Sequence, residues 1–227
     1  RRLGYDGLEE LKSEMRRGHP NPAWEVKGQV DRFQQDIRDG KLLAGLLQRQ
    51  VDNLGKVYEL TLLPEWQKCI DALIGASEVY VAAYQNIRGI AQYFASQLSY
   101  ARPRVQFVDG LNGTYSELLD GSVEGRVLVI HEARRYAAKA KPLAEEARRA
   151  GVTVIMLVDE FCPWAKDVSD IALVLPGSHG PLWDGAATGM AVLDLIMANI
   201  IVVLGNEVDE RVQLLTRLQD VFGDFEN

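Results

Sequence analysis

Val127-Leu128-Val129-Ile130, then a helix-patterned stretch over residues 135–150, then Val152-Thr153-Val154-Ile155-Met156-Leu157-Val158, is the passage that decides the fold. Both apolar runs are short and rich in β-branched residues, and neither alternates with polar positions. That is the pattern of strands covered on both faces. The stretch between them carries Glu145 and Arg149 at i, i+4 spacing, an arrangement that supports a helix. Strand, helix and strand in that order predict a crossover connection and parallel pairing.

Working outward, the same grammar recurs. Glu78-Val79-Tyr80-Val81-Ala82-Ala83, Arg104-Val105-Gln106-Phe107-Val108 and Ile171-Ala172-Leu173-Val174-Leu175 read as three more strands, with helical stretches between most of them. The expectation is an α/β three-layer (αβα) architecture with a five-stranded parallel sheet, preceded by a helical N-terminal extension. In that extension Leu8, Leu11 and Met15 form a short stripe closed by the Gly18-His19-Pro20-Asn21-Pro22 breaker. Residues 23–53 read as helix bent around Arg38-Asp39-Gly40, with Leu42, Leu43, Leu46, Leu47, Val51 and Leu54 at helical spacing. A further helix follows Pro64, with Trp66, Ile70, Leu73 and Ile74 on one side. The chain ends in two helices, roughly 185–204 and 207–222, separated at Gly205-Asn206. Met190, Leu193, Met197, Ile200, Ile201 and Leu204 make the first of these a core or dimer surface.

The 227 residues suffice for one large α/β domain and a helical extension, and 47% hydrophobic content fills a core. A net charge of −7 argues against this chain gripping nucleic acid by itself, since phosphate contacts need clustered Lys and Arg. Cys69 and Cys162 lack metal-ligand spacing and read as reduced thiols of a cytoplasmic protein; no metal or cofactor is called for. No signal peptide is read, and no run is judged apolar enough to cross a bilayer. The first residue, Arg1, is not Met, so the expectation is that sequence is missing upstream.

Doubly wound sheets hold ligands outside the carboxyl ends of their strands, where helix N-termini offer N–H groups. Here those places are residues 84–88, 109–114, 131–136, 159–164 and 177–184. The run Gly125–Gly151, then Val154 to Asp159, Pro163-Trp164-Ala165 and Ala172 to Pro176, resembles the second half of a sugar-isomerase (SIS) domain. Arg2-Leu3-Gly4-Tyr5-Asp6-Gly7-Leu8-Glu9-Glu10-Leu11 resembles the segment after the recognition helix of RpiR/MurR-type transcription regulators, which join a helix-turn-helix domain to an SIS domain. The resemblance implies residues 1–17 as the end of a helix-turn-helix domain whose DNA-reading helix lies upstream, 18–55 as a helical linker, and 56–227 as an SIS effector-binding domain.

The departures from that family are specific. It places Ser, Ser and Thr, the hydroxyls that hold a sugar phosphate, where this chain has Glu132, Arg134 and Ala137. In the first loop Ala83, Gln85 and Ile87 stand where Gly, Gly and Ser are usual. Arg134-Arg135-Tyr136 and the turn Pro181-Leu182-Trp183-Asp184 look like variants found in a subset of the regulators.

The candidate ligand-binding residues are Asn86, Arg88, Glu132, Arg134, Arg135, Tyr136 and Asp184. Two guanidinium forks at a helix start can clamp a carboxylate or phosphate. Equally, they can pair with Glu132, Asp159 or Asp184 as structural ion pairs. The altered loop is read as an anion site in which Glu132 holds one guanidinium and the helix starting near Tyr136 lends its N–H groups. His131 and Glu132 can be taken as an acid/base pair, but adjacent residues leaving a strand point to opposite faces, and a loop histidine with one satisfied nitrogen is the plainer account. His179 and His19 read as ordinary loop and linker residues. Gly110-Leu111-Asn112-Gly113-Thr114 is a strand-to-helix connection with Thr114 near the N-cap, and Asp184 caps the helix from Gly185.

Three functions remain open on sequence. The first is an effector-sensing and dimerisation domain of a bacterial regulator, not an enzyme, binding a small anionic sugar-like metabolite (a sugar phosphate or sugar acid). It is expected as a homodimer, or a tetramer in a longer protein, touching DNA only through a preceding domain and touching no membrane. The second is a sugar-phosphate isomerase, and the third a ligand-free SIS dimerisation module.

Overall fold

The structure, a computed structural model, describes residues 30, 34, 37–38, 40–111, 113–122, 124–177 and 186–223. The readings placed on residues 1–17, on His19, on His179 and on Trp183-Asp184 lie outside them. The chain divides into two compact units, Arg1–Arg49 with His179–Trp183, and Gln50–Ser178 with Asp184–Asn227. In the first, the described residues are mainly the start of a helix, α1 (Lys41–Leu60). The second unit holds the sheet.

In chain order that unit runs α2 (Pro64–Gly75), β1 (Glu78–Ala83), a 3-10 turn (Gln85–Ile87), α3 (Arg88–Ala101), β2 (Val105–Val108), α4 (Ser116–Leu119) and β3 (Arg126–His131). It continues with α5 (Ala140–Ala150), β4 (Thr153–Asp159), α6 (Ala165–Val168), β5 (Ile171–Leu175), α7 (Ala187–Leu204) and α8 (Asn206–Phe222). All five expected strands form, in the order β2-β1-β3-β4-β5 and parallel throughout. The register pairs Ala83 with His131 and His131 with Leu157, so the ends of β1, β3 and β4 lie side by side.

The period of two along each strand splits the core. Val79, Val81, Val127, Val129, Ile155, Leu157, Ile171 and Leu173 face α2, α3 and α7. Tyr80, Ala82, Leu128, Ile130, Val154, Met156 and Val158 face α4, α5 and α6. Pro64 starts α2, where its missing N–H is harmless. Gly151 ends α5 in the left-handed conformation, its N–H reaching the carbonyls of Ala147 and Arg148. Arg102, almost wholly buried, turns its guanidinium onto the Leu73 and Ala76 carbonyls at the end of α2. Cys69 sits in the core, where burial pushes its thiol up to about 12.

Several local expectations need correction. Helix α5 begins at Ala140, not near residue 135 or 136. Within it Glu145 bonds Lys141, and Arg149 takes Glu146. The helix after β2 is a single turn with Tyr115 as its N-cap, so Thr114 lies next to the cap as expected. Helix α7, N-capped by Ala186, has 18 residues of mean hydropathy 2.1, long and apolar enough to span a bilayer by length and composition, contrary to the sequence reading. One third of it is buried, with Val192, Leu193, Ile196 and Ile200 in the sheet's core.

Candidate functional site

The connection after β1 leads to β2 on one side, and that after β3 leads to β4 on the other. The order β2-β1-β3-β4-β5 therefore opens a crevice between the loops after β1 and β3. The loop after β3, residues 132–139, contains no Ser or Thr. It is built around two carboxylates.

The Glu132 side chain, 2% exposed, folds back into its own loop. Oε1 accepts from the Ala133 N–H at 3.1 Å and Oε2 from the Ala137 N–H at 3.0 Å. The backbone N–H of Glu132 goes to the Leu157 carbonyl on β4 at 2.9 Å, which fixes the start of the loop. Burial drives the Glu132 carboxyl up to about 7; the two amides pull the other way, and the neighbouring charge of Asp159 adds to the rise. Asp159, at the end of β4, gathers three donors: the Arg134 N–H at 2.9 Å, the Phe161 N–H at 2.9 Å and the Tyr136 hydroxyl at 2.6 Å. Burial, and then the bond to Asp159, raise the Tyr136 hydroxyl above its ordinary value. Its ring meets Trp164 edge-on, 5.8 Å between centroids, and the Arg134 guanidinium lies 4.5 Å from the centre of the Phe161 ring.

The first loop closes over this arrangement. Gln85 keeps a left-handed φ of 53° although Gln stands where the family resemblance has Gly. Its side-chain amide donates to the Arg135 carbonyl at 3.3 Å, bridging the two loops. Tyr84 and Tyr115 share a hydroxyl hydrogen bond of 2.8 Å. Gly110, at φ 63°, lets the chain pass beneath the Tyr115 ring, where any Cβ would lie 2.4 Å from ring atoms. Asn86 is exposed on the 3-10 turn. Arg88, at the start of α3, is ion-paired with Asp109 at 2.5 Å and lies over Phe107.

His131 and Glu132 do not converge. His131 is the last residue of β3, not a loop residue, and packs under α7, where a Cβ on Gly189 would come within 2.8 Å of its Cε1. Among the described residues its Nδ1 has no hydrogen-bond partner, and burial pushes the imidazole down to about 4, so it is neutral near pH 7. The reading of His131 as a loop residue is thereby corrected. So is the reading of the loop amides: the donors of Ala133, Arg134 and Ala137 go to Glu132 and Asp159, and Glu132 is engaged by backbone.

Glu132, Arg134 and Tyr136 are thus brought together with Asp159; Arg135 joins them through the Gln85 bridge, and Asn86 and Arg88 lie on the neighbouring turn. Sequence reasoning places residues 159–164 at a ligand-facing strand end but does not single out Asp159 as a site residue. A lone acid closing a buried apolar strand is the signal that marks it.

No protein-family model matches the chain, and no curated protein matches it in sequence. Solved structures do match. The sugar isomerase domain of an RpiR transcription factor from Sphaerobacter thermophilus superimposes with a TM-score of 0.71 at 17% identity, over 78% of this chain and 99% of that one. The NanR protein of Vibrio vulnificus, complexed with ManNAc-6P, gives 0.66 at 16%, over 96% of this chain and 77% of that one. A Methanococcus jannaschii protein whose structure infers a 3-hexulose-6-phosphate isomerase function gives 0.56 at 20%, over 74% and 96%. At these identities the likeness shows the fold, and the fold is that of an SIS domain.

Proposed function

We propose that this chain is the sensing and assembly part of an RpiR-type transcription regulator, an SIS domain that binds a small sugar-derived anion and does not isomerise it. The observation that carries the reading is the loop after β3. Its amides serve two internal carboxylates, Glu132 and Asp159, and it holds no Ser or Thr hydroxyl for a sugar phosphate, its Tyr136 hydroxyl being given to Asp159. The adjacent histidine, buried and neutral, faces α7, so His131 and Glu132 do not form an acid/base pair across the crevice. The match to NanR supports the regulator reading, because it takes in 96% of this chain and so reaches residues ahead of the sheet.

In this reading the ligand's acid group lies against the guanidiniums of Arg134 and Arg135, with Arg88, Asn86 and Tyr136 beside them, and Asp184 is a further contact proposed from sequence. Helices α7 and α8 carry exposed apolar residues, including Val202, Val221 and Phe222, which suit a second copy of the chain. DNA would be read by a preceding helix-turn-helix domain in a cytoplasmic protein, and the ligand would shift the spacing of paired domains.

The test pairs an aldose–ketose exchange assay on pentose and hexose phosphates with a thermal-shift screen of sugar acids. The reading expects no protein-dependent exchange and stabilisation by a sugar acid. Robust exchange would overturn it in favour of an isomerase. A folded dimer that no sugar acid stabilises would favour a ligand-free dimerisation module, which the internally satisfied loop also suits.

A further inference from the structure

We propose that Glu132 sets the ligand class of this domain: its carboxyl group occupies the loop after β3, and it makes the site reject phosphate esters. The inference rests on the reading of the chain as an SIS sensing domain and narrows what that domain can sense.

A phosphate seated in a loop at the end of a parallel strand is held by backbone N–H groups and hydroxyls. Here the Ala133 and Ala137 N–H groups already converge on the two oxygens of one carboxylate, at 3.1 and 3.0 Å. That carboxylate is buried, so it fills the loop and does not lie across its mouth. The next amide, that of Arg134, is held by Asp159, which also takes the Phe161 N–H and the Tyr136 hydroxyl. Gln85 bridges from the first loop to the Arg135 carbonyl. A phosphate ester entering this loop meets no unoccupied amide on residues 133, 134 or 137.

Charge acts in the same direction. A phosphate monoester carries about −1.5 to −2 near pH 7, and it would approach the Asp159 carboxylate and a Glu132 carboxyl that is about half ionised there. A carboxylate ligand carries half that charge or little more, and its planar group matches a guanidinium fork outside the loop. The class left to the domain is the un-phosphorylated sugar acid.

The experiment compares the wild-type protein with Glu132→Ser, which empties the loop and returns a hydroxyl, and with Glu132→Ala, which only empties it. Inorganic phosphate and glucose 6-phosphate are the probes, at constant ionic strength set with chloride. Melting temperature and calorimetric titration are the readouts. The wild type should be indifferent to both probes. At least one folded variant should bind glucose 6-phosphate about tenfold or more tightly than the wild type, with a Tm rise of a few degrees at ligand concentrations about ten times Kd. Wild-type protein that binds either probe as tightly as the variants would overturn the proposal. So would Ser and Ala variants that keep the wild-type circular dichroism and stay blind to both probes. Isomerase turnover by the wild type sinks the underlying reading instead, whatever the variants bind.

Discussion

Replacing Glu132 by Gln should change how stability depends on pH, and the structure gives both the sign and the size. A carboxyl that titrates near 7 in the folded protein and near 4.5 when unfolded is protonated more readily in the folded state. Its contribution to stability therefore falls as pH rises through that window, by about 2.5 kcal/mol between pH 5 and pH 8. His131 acts oppositely. Buried and neutral, with its imidazole down at about 4 against 6.5 unfolded, it favours the folded state less as pH falls below 6.5. Over the same interval that is a gain of about 2 kcal/mol as pH rises.

The two contributions nearly cancel in the wild type, which should show a stability profile flat to within about 0.5 kcal/mol from these two groups. Glu132→Gln removes one of them and leaves the other. Urea unfolding at several pH values between 5 and 8 should show the difference between variant and wild type shifting by about 2.5 kcal/mol in the variant's favour as pH rises. Other titrating groups cancel in that difference. A difference that stays constant across the range would refute a buried Glu132 carboxyl held up near 7.

Three further outcomes follow from the packing. Gly189→Ala should destabilise by about 1–3 kcal/mol, since its Cβ would meet the buried His131 ring at 2.8 Å; denaturant unfolding measures it. Arg102→Met keeps the apolar stem but strips the Leu73 and Ala76 carbonyls of their donor, and thermal or denaturant melts should show a loss of about 1–3 kcal/mol. In the proposed dimer Val202, 80% exposed on α7, should carry the contact: the wild type should sediment as a dimer and Val202→Asp as a monomer.

The strands were legible because burial on both faces writes itself as unbroken apolar sequence: Val127 to Ile130 marks β3 to within one residue at each end. The start of α5 was not. Arg135-Tyr136-Ala137-Ala138 has no helix breaker, and what keeps it out of the helix is the pull of Glu132 on the Ala137 amide and of Asp159 on the Arg134 amide. Those bonds join a side chain to backbone, in one case 25 residues away, and leave no periodic trace. The acid at 132 was visible as a departure from the expected hydroxyl; its partner was not, because an arginine two residues along reads as the obvious one. Likewise Gly189 gave no hint of His131, since a close approach between α7 and the end of β3 depends on the sheet being assembled.

The central claim is that the loop after β3 is filled by its own carboxylate, and backbone amide NMR tests it most directly. The N–H resonances of Ala133 and Ala137 should both titrate with the carboxyl they bond, with a common midpoint near 7, and neither should move when inorganic phosphate is added at fixed pH. Midpoints near the ordinary carboxylate value, or amide shifts that saturate with phosphate, would contradict the account.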